Sequence, residues 1–223
     1  MTTVVAIYTG QGLAEPLKAV FNEVLPGCRL VNIIDDSLIA DVVRDQAVTP
    51  AVTRRLLNYY QTAVEIGADV ILNTCSSVGE VVALGQQVVD VPIVRIDEAM
   101  AAEAVRSYDR IGVIATLPTT LQPTLRLLRE QAEKVGRAVT LVEGLAQGAY
   151  DALVGGSPEQ HDALILDTAL RLKPQVDALV LAQGSMARME RKLAEAAGLP
   201  VLSSPRRGIE AVKAVLEKSS VDT

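Results

Sequence analysis

Apolar residues fall along this chain in short unbroken runs, separated by longer stretches where they recur every third or fourth position. Such runs suit strands buried on both faces of a parallel sheet, and the spaced stretches suit helices packed across it. The first run, residues 4–8, turns through Thr9-Gly10-Gln11-Gly12 into a helix over 13–25 that Pro26-Gly27 ends. Residues 30–34 read as a second strand. The stretch 36–48 is less regular and reads as a loop over a site. Thr49-Pro50 starts a helix, with Thr as N-cap and Pro in the first turn. Val52, Leu56, Tyr59, Tyr60, Ala63 and Val64 keep helical spacing up to Gly67. Val70-Ile71-Leu72 is a third, buried strand that ends in Asn73-Thr74-Cys75-Ser76-Ser77. Ser77 with Glu80 forms a capping-box pattern, which predicts a helix over 78–88. A fourth strand at 93–96 and a helix to Ser107 follow.

The same order then restarts. Strands are predicted at 111–115, 138–142, 177–181 and 201–202, and helices at 121–135, 158–172, after Ser185 up to Ala197, and from Pro205 to Lys218. Residues 219–223 read as a frayed tail. The repeat has a register: Asp69 maps to Asp177, Cys75 to Gln183, Ser77 to Ser185 and Pro92 to Pro200, each about 108 positions apart, and Thr9 maps to Thr116. This period is far longer than that of solenoid repeats. It predicts two similar α/β halves of about four parallel strands each. The strand ends carrying Thr9, Cys75, Thr116 and Gln183 are expected to face one another across an interdomain cleft, a common place for ligands.

Composition narrows the chemistry. Of 223 residues, 49% are hydrophobic but only 3% aromatic, with no Trp, so aliphatic side chains must build the cores. A net charge of −6 lacks the basic face that nucleic-acid binding needs. No apolar run is long enough for a membrane span. The N-terminus has no basic region before its apolar run and reads as a strand, not a signal peptide. Two cysteines make no disulfide framework and fit a reducing, cytoplasmic setting. The lone His161 starts neither a metal site nor a triad and reads as solvated. A dinucleotide site fits poorly: Gly10-x-Gly12 follows a strand, but Glu15 stands at the third glycine position.

Cys75, in the turn between a strand and a helix start, is the candidate reactive group. Backbone N–H groups there favour a thiolate, which predicts a lowered thiol pKa. Each site reading has a plainer counterpart. Cys75 also fits a buried turn, Ser77 a helix cap, and Thr9 and Thr116 local turn residues. Asp69 and Asp177 read as solvated strand starts, Arg206 and Arg207 as surface charges, and Tyr59 and Tyr60 as core and boundary.

Asn73-Thr74-Cys75-Ser76-Ser77, Thr9-Gly10, Ala115-Thr116 with Thr119-Thr120, and the strand end at 181–185 together resemble the aspartate/glutamate/hydantoin racemase superfamily. The resemblance covers nearly the whole chain. It implies two pseudo-symmetric domains, residues 1–97 plus 206–223 and residues 98–205, with the active site in the cleft between them. It implies cofactor-independent, metal-free proton transfer at the carbon next to the carboxylate of a small organic or amino acid. Family members often form dimers, so a homodimer is implied. Family members use two cysteines. Cys75 matches the first, whereas Gln183 stands at the second and has no titratable proton. Cys75 is then the single acid/base, with Gln183 its catalytic counterpart. Thr9, Gly10, Asn73, Ser76, Ser77, Thr116, Thr119, Gly184 and Ser185 are the implied substrate-binding residues. The missing thiol also admits decarboxylation with one-sided protonation, as in the related arylmalonate decarboxylase, or a carboxylate-binding module without catalysis.

Overall fold

A computed structural model describes residues 1–221. The chain divides into two compact units. One comprises residues 1–99 together with the chain from Pro205 onward, and the other is Met100–Ser204.

The first unit holds a four-stranded parallel sheet in the order β2-β1-β3-β4. Its strands are β1 (Thr3–Tyr8), β2 (Arg29–Ile34), β3 (Val70–Asn73) and β4 (Ile93–Arg95). All residues of β1 and β3 are buried, whereas edge strand β2 is half-exposed. That difference follows position: central strands are covered on both faces. Helix α1 (Ala14–Val24) joins β1 to β2. Helices α2 (Ser37–Asp45) and α3 (Pro50–Glu65) join β2 to β3, and α4 (Val81–Gly85) joins β3 to β4. Alternation along each strand divides the core in two. Val5, Ile7, Ile71 and Ile93 pack with Leu56 and Tyr60 of α3. Val4, Ala6, Tyr8, Val70 and Leu72 pack with Leu17 and Phe21 of α1 and with Ile209 and Val212 of the last helix.

The second unit repeats this plan. Its strands β5 (Arg110–Ala115), β6 (Thr140–Leu145), β7 (Ala178–Leu181) and β8 (Val201–Leu202) form a parallel sheet in the order β6-β5-β7-β8. Helix α5 (Glu98–Ser107) leads into β5, and α6 (Pro118–Lys134) joins β5 to β6. Helices α7 (Ala149–Val154) and α8 (Pro158–Leu172) lead to β7, and α9 (Glu190–Ala197) lies between β7 and β8. Helix α10 (Ser204–Val221) ends the described chain.

Several local expectations need correction. The 36–48 stretch is not a loop, because α2 occupies most of it, with Leu38 and Val42 buried on one face. The predicted tail is helical through Val221, and its last two residues lie outside the described ones. Asp69 and Asp177 are not merely solvated. Asp69 accepts the Thr3 N–H at 2.7 Å, and Asp177 accepts the Arg110 N–H at 3.0 Å and the Arg110 guanidinium at 2.6 Å. Each carboxylate takes the first N–H of the neighbouring strand, which has no ladder partner for it. The repeat therefore extends to how each central strand pair is started. Among the described residues, no helix is long and apolar enough to cross a membrane.

Candidate functional site

Strand β3 delivers Cys75 to the carboxyl end of the first sheet. Thr74 ties the strand end down: its N–H and hydroxyl both donate to the Ile7 carbonyl, at 3.2 and 2.9 Å. Cys75 itself is extended, with part of the residue exposed and its sulfur enclosed. A single 3₁₀ turn, Ser76–Val78, follows before the short α4. The expected helix over 78–88 is thus a turn plus five helical residues. The residues that precede the turn and α4, Cys75 and Glu80, do not cap them with their side chains. Within the turn the Val78 N–H donates to the Cys75 carbonyl at 3.4 Å and the Gly79 N–H to the Ser76 carbonyl at 3.2 Å. The hydroxyls of Thr9 and Ser77 and the N–H groups of Ser77 and Val78 bear on the Cys75 sulfur and favour its charged form.

These four donors favour a thiolate. Burial opposes them and wins, so the thiol sits above its ordinary pKa. The expectation of a lowered pKa is therefore corrected. A helix start lowers a thiol pKa when the sulfur stays near water, and this one is largely removed from it.

The other candidates of the first unit gather at the same sheet end. Thr9, Ser76 and Ser77 are buried beside the thiol. Gly10 precedes a 3₁₀ turn, Gln11–Leu13. Asn73 is buried, and its Oδ1 accepts the Cys75 N–H at 3.5 Å. Its Nδ2 has no partner among the described residues. Two further residues pack behind the turn. The Arg95 guanidinium reaches the Asp97 carboxylate at 3.1 and 3.2 Å, with Asp97 1% exposed. That guanidinium fills the space where a side chain at Gly79 would lie: a Cβ there would stand 2.6 Å from Cζ. Tyr60 of α3 is fully buried, with its ring against Gly85. Sequence reading left Arg95 and Tyr60 out, because one ends an apolar strand and the other keeps core spacing on a helix.

In the second unit, β7 delivers Gln183 to the equivalent place. Its carboxamide is closed onto Thr116. Oε1 accepts the Thr116 N–H at 2.8 Å, and Nε2 donates to Thr116 Oγ1 at 2.6 Å. Gly184 and Ser185 begin a 3₁₀ stretch, Gly184–Met189, and Ser185 is exposed, unlike Ser77. Thr119 lies in the first turn of α6, and its hydroxyl is buried with no partner. His161 is not solvated. It is 1% exposed, with Nδ1 2.9 Å from Asp162, which Arg188 also holds at 2.5 and 2.6 Å. Among the described residues, no group of three or more His, Cys, Asp or Glu could hold a metal ion.

The sequence matches the family model described as Asp/Glu/Hydantoin racemase over residues 4–212. This chain belongs to that family. It is an enzyme of the racemase superfamily by that membership. No curated protein sequence matches it. Its fold is similar to those of solved family structures. Glutamate racemase from Francisella tularensis in complex with D-glutamate superposes with a TM-score of 0.77 at 13% identity, covering 98% of this chain and 82% of the other. Allantoin racemase from Klebsiella pneumoniae gives 0.71 at 17% identity, covering 98% and 89%. A mutant of arylmalonate decarboxylase gives 0.62 at 16% identity, covering 96% and 92%. These identities speak for the shared fold alone.

Proposed function

We propose that this racemase-family enzyme moves a proton at the carbon next to the carboxylate of a small organic or amino acid, with Cys75 as its single acid/base and no cofactor. What supports this reading is the place of Cys75 at the carboxyl end of β3, with the buried Thr9, Ser76 and Ser77 at the same sheet end and the donors of Thr9, Ser77 and Val78 favouring its charged form. A buried thiol so surrounded can give up a proton without its anion being left unsolvated, and can take the proton back. The high thiol pKa suits a group that spends most of its time protonated and acts as donor in the protonating step.

Breaking a bond at that carbon builds charge on the carboxylate oxygens, which preorganised donors stabilise. In the first unit, the unpartnered Nδ2 of Asn73 and the hydroxyls of Ser76 and Ser77 are suited to that task, beside Thr9 and Gly10. From the second unit we assign Thr119, with its unpartnered buried hydroxyl, and Thr116, Gly184 and Ser185. Two free cysteines fit a cytoplasmic setting.

A second reading is decarboxylation followed by one-sided protonation. The closure of Gln183 onto Thr116 favours it, because a carboxamide held at both ends supplies no proton. The test is a screen of small carboxylic acids in D₂O, read for deuterium at the α-carbon, for loss of CO₂ and for optical rotation. Deuterium entry or CO₂ release that disappears in Cys75→Ala supports the proposal. Full activity in Cys75→Ala overturns it. Rapid racemisation by the native enzyme overturns the one-sided form.

A further inference from the structure

The two halves of the chain are built on one plan, so each serves as a control for the other. The repeat carries Asn73 onto Leu181, Gly79 onto Ala187, Arg95 onto Ser203 and Asp97 onto Pro205. Strand register agrees. Asn73 pairs with Arg95 across β3 and β4, and the β7–β8 pairing of Leu179 with Val201 and Val180 with Leu202 leads to Leu181 and Ser203 at the same place. In the second unit that place is filled by small and apolar groups. Leu181 is fully buried in its core, and the Ser203 hydroxyl donates to the Glu190 carboxylate. In the first unit it holds an amide and an ion pair. Asn73 and Asp97 are each 1% exposed, and the Arg95 guanidinium holds Asp97 through two bonds. The plan therefore folds without the amide and the guanidinium. Taking a charge pair out of water costs free energy that well-packed apolar side chains avoid. The half that carries the thiol keeps the pair all the same.

The contacts of the pair point to what it holds. Paired residues of neighbouring parallel strands project to one face, so the Asn73 and Arg95 side chains lie side by side. The Ile96 N–H donates to the Asn73 carbonyl at 3.0 Å and ties the two strand ends together. The guanidinium lies against Gly79, where an added Cβ would stand 2.6 Å from Cζ and 2.7 Å from Nε. Where the second half has Ser203 in place of the arginine, it has Ala187 in place of the glycine, so the Cβ is left out only where the guanidinium needs the room. Gly79 closes the turn after Cys75, since its N–H donates to the Ser76 carbonyl at 3.2 Å. Asn73 Oδ1 accepts the Cys75 N–H at 3.5 Å, and the buried Nδ2 has no partner among the described residues. A donor is thus left unused next to the thiol segment, which calls for a reason. We propose that Arg95 is a positioning residue: locked by Asp97 and seated on Gly79, it holds Asn73 and the Ser76–Val78 turn so that their donors receive the carboxylate of a substrate beside Cys75. This rests on the reading of the site as one for small carboxylates, and adds the element that aims its donors. Arg95 acts through these neighbours and not on the reacting atoms.

The test compares two alkylating agents on the Cys75 thiol of the intact protein. Iodoacetate and iodoacetamide both form an S–C bond as a C–I bond breaks and iodide leaves, but only iodoacetate carries a carboxylate next to the reacting carbon. Both need the same thiolate. The ratio of their rates on the Cys75 peptide, read by mass spectrometry and divided by the ratio for the urea-unfolded chain, therefore reports carboxylate recognition apart from thiol pKa. The native protein should favour iodoacetate despite its net charge of −6. Arg95→Lys keeps the charge and loses the planar fork. Arg95→Met combined with Asp97→Leu removes both charges together, so that neither is left buried alone. Each should lower the ratio about ten-fold, the size expected for one hydrogen bond to a charged group. Ser203→Ala, the matching change in the half without a thiol, should leave it at the native value. A native ratio no greater than that of the unfolded chain, an unmoved ratio in either Arg95 variant, or an equal fall in Ser203→Ala overturns the inference. A merely structural role for Arg95 changes both rates together and leaves the ratio unmoved. Because alkylation transfers no proton to carbon, a preference for iodoacetate that Arg95 controls stands even if the D₂O screen shows no exchange. Exchange without that preference leaves Cys75 as acid/base and removes the part given to Arg95.

Discussion

Gln183 and Thr116 are bonded to each other at two points, N–H to Oε1 and Nε2 to Oγ1. Their counterparts in the first unit, Cys75 and Thr9, form no such clasp, and the Thr9 hydroxyl favours the charged form of the thiol. The same threonine thus serves two ends. Beside a thiol it is a donor that helps carry charge. Beside a carboxamide it completes a neutral clasp between β5 and β7. The two halves share a strand order and differ in what their central strand ends can do.

Removing the clasp should weaken the protein. Gln183→Ala leaves the Thr116 N–H without its acceptor, at an expected cost of about 1–3 kcal/mol in urea unfolding. Gln183→Glu keeps an acceptor for that N–H and lets the Thr116 hydroxyl donate, so its loss should be distinctly smaller. Equal losses for the two variants would show that the acceptor is not what matters.

Stability should fall on the alkaline side because of Cys75. Its folded pKa is raised above the unfolded value, so over the window between them the native state keeps a proton that the unfolded chain releases. The stabilisation is complete below the unfolded thiol pKa and disappears as pH rises through the folded one. Denaturation series across that window should show a shallower alkaline decline for Cys75→Ala than for the native protein. Cys28 shifts in the same direction through burial and contributes a residual slope in both.

The Arg95–Asp97 pair should resist being halved. Arg95 is 11% exposed and Asp97 1%. Truncating one partner of such a pair leaves a buried charge uncompensated, at about 3–5 kcal/mol. Asp97→Ala is expected in that range by chemical unfolding, whereas a change below about 1 kcal/mol would mean that the pair is effectively solvated.

Gly79→Ala should be destabilising by about 1–3 kcal/mol, since the new methyl meets a guanidinium that Asp97 holds in place. In an Arg95→Ala background the same change should cost much less. Additive losses would place the conflict elsewhere.

Much of this architecture was legible because it repeats. Central strands read as apolar runs, and the matching of Asp69, Cys75, Ser77 and Pro92 to a second set fixed both halves at once. What was missed depends on contacts distant in sequence. Helix α2 hides in 36–48 because only Leu38 and Val42 face the core, too few to set a period. The 3₁₀ turn Ser76–Val78 stands where the first turn of the helix over 78–88 is expected, a local choice that the residue pattern does not reveal. His161 looked solvated amid polar neighbours, yet Asp162 and Arg188 enclose it from a helix and a turn that sequence does not bring together.

The return of α10 to the first unit has a consequence for synthesis. Ile209 and Val212 complete the core under β1 and β3, and Gly208 fits against the Ile96 backbone so closely that a Cβ would lie 2.8 Å from its carbonyl oxygen. The ribosome therefore makes the middle segment, residues 100–204, as one contiguous piece that can fold as it emerges. The first unit, although begun earlier, must wait for α10 before its core can close. Of the two units, the one that carries Cys75 is started before the other and finished after it.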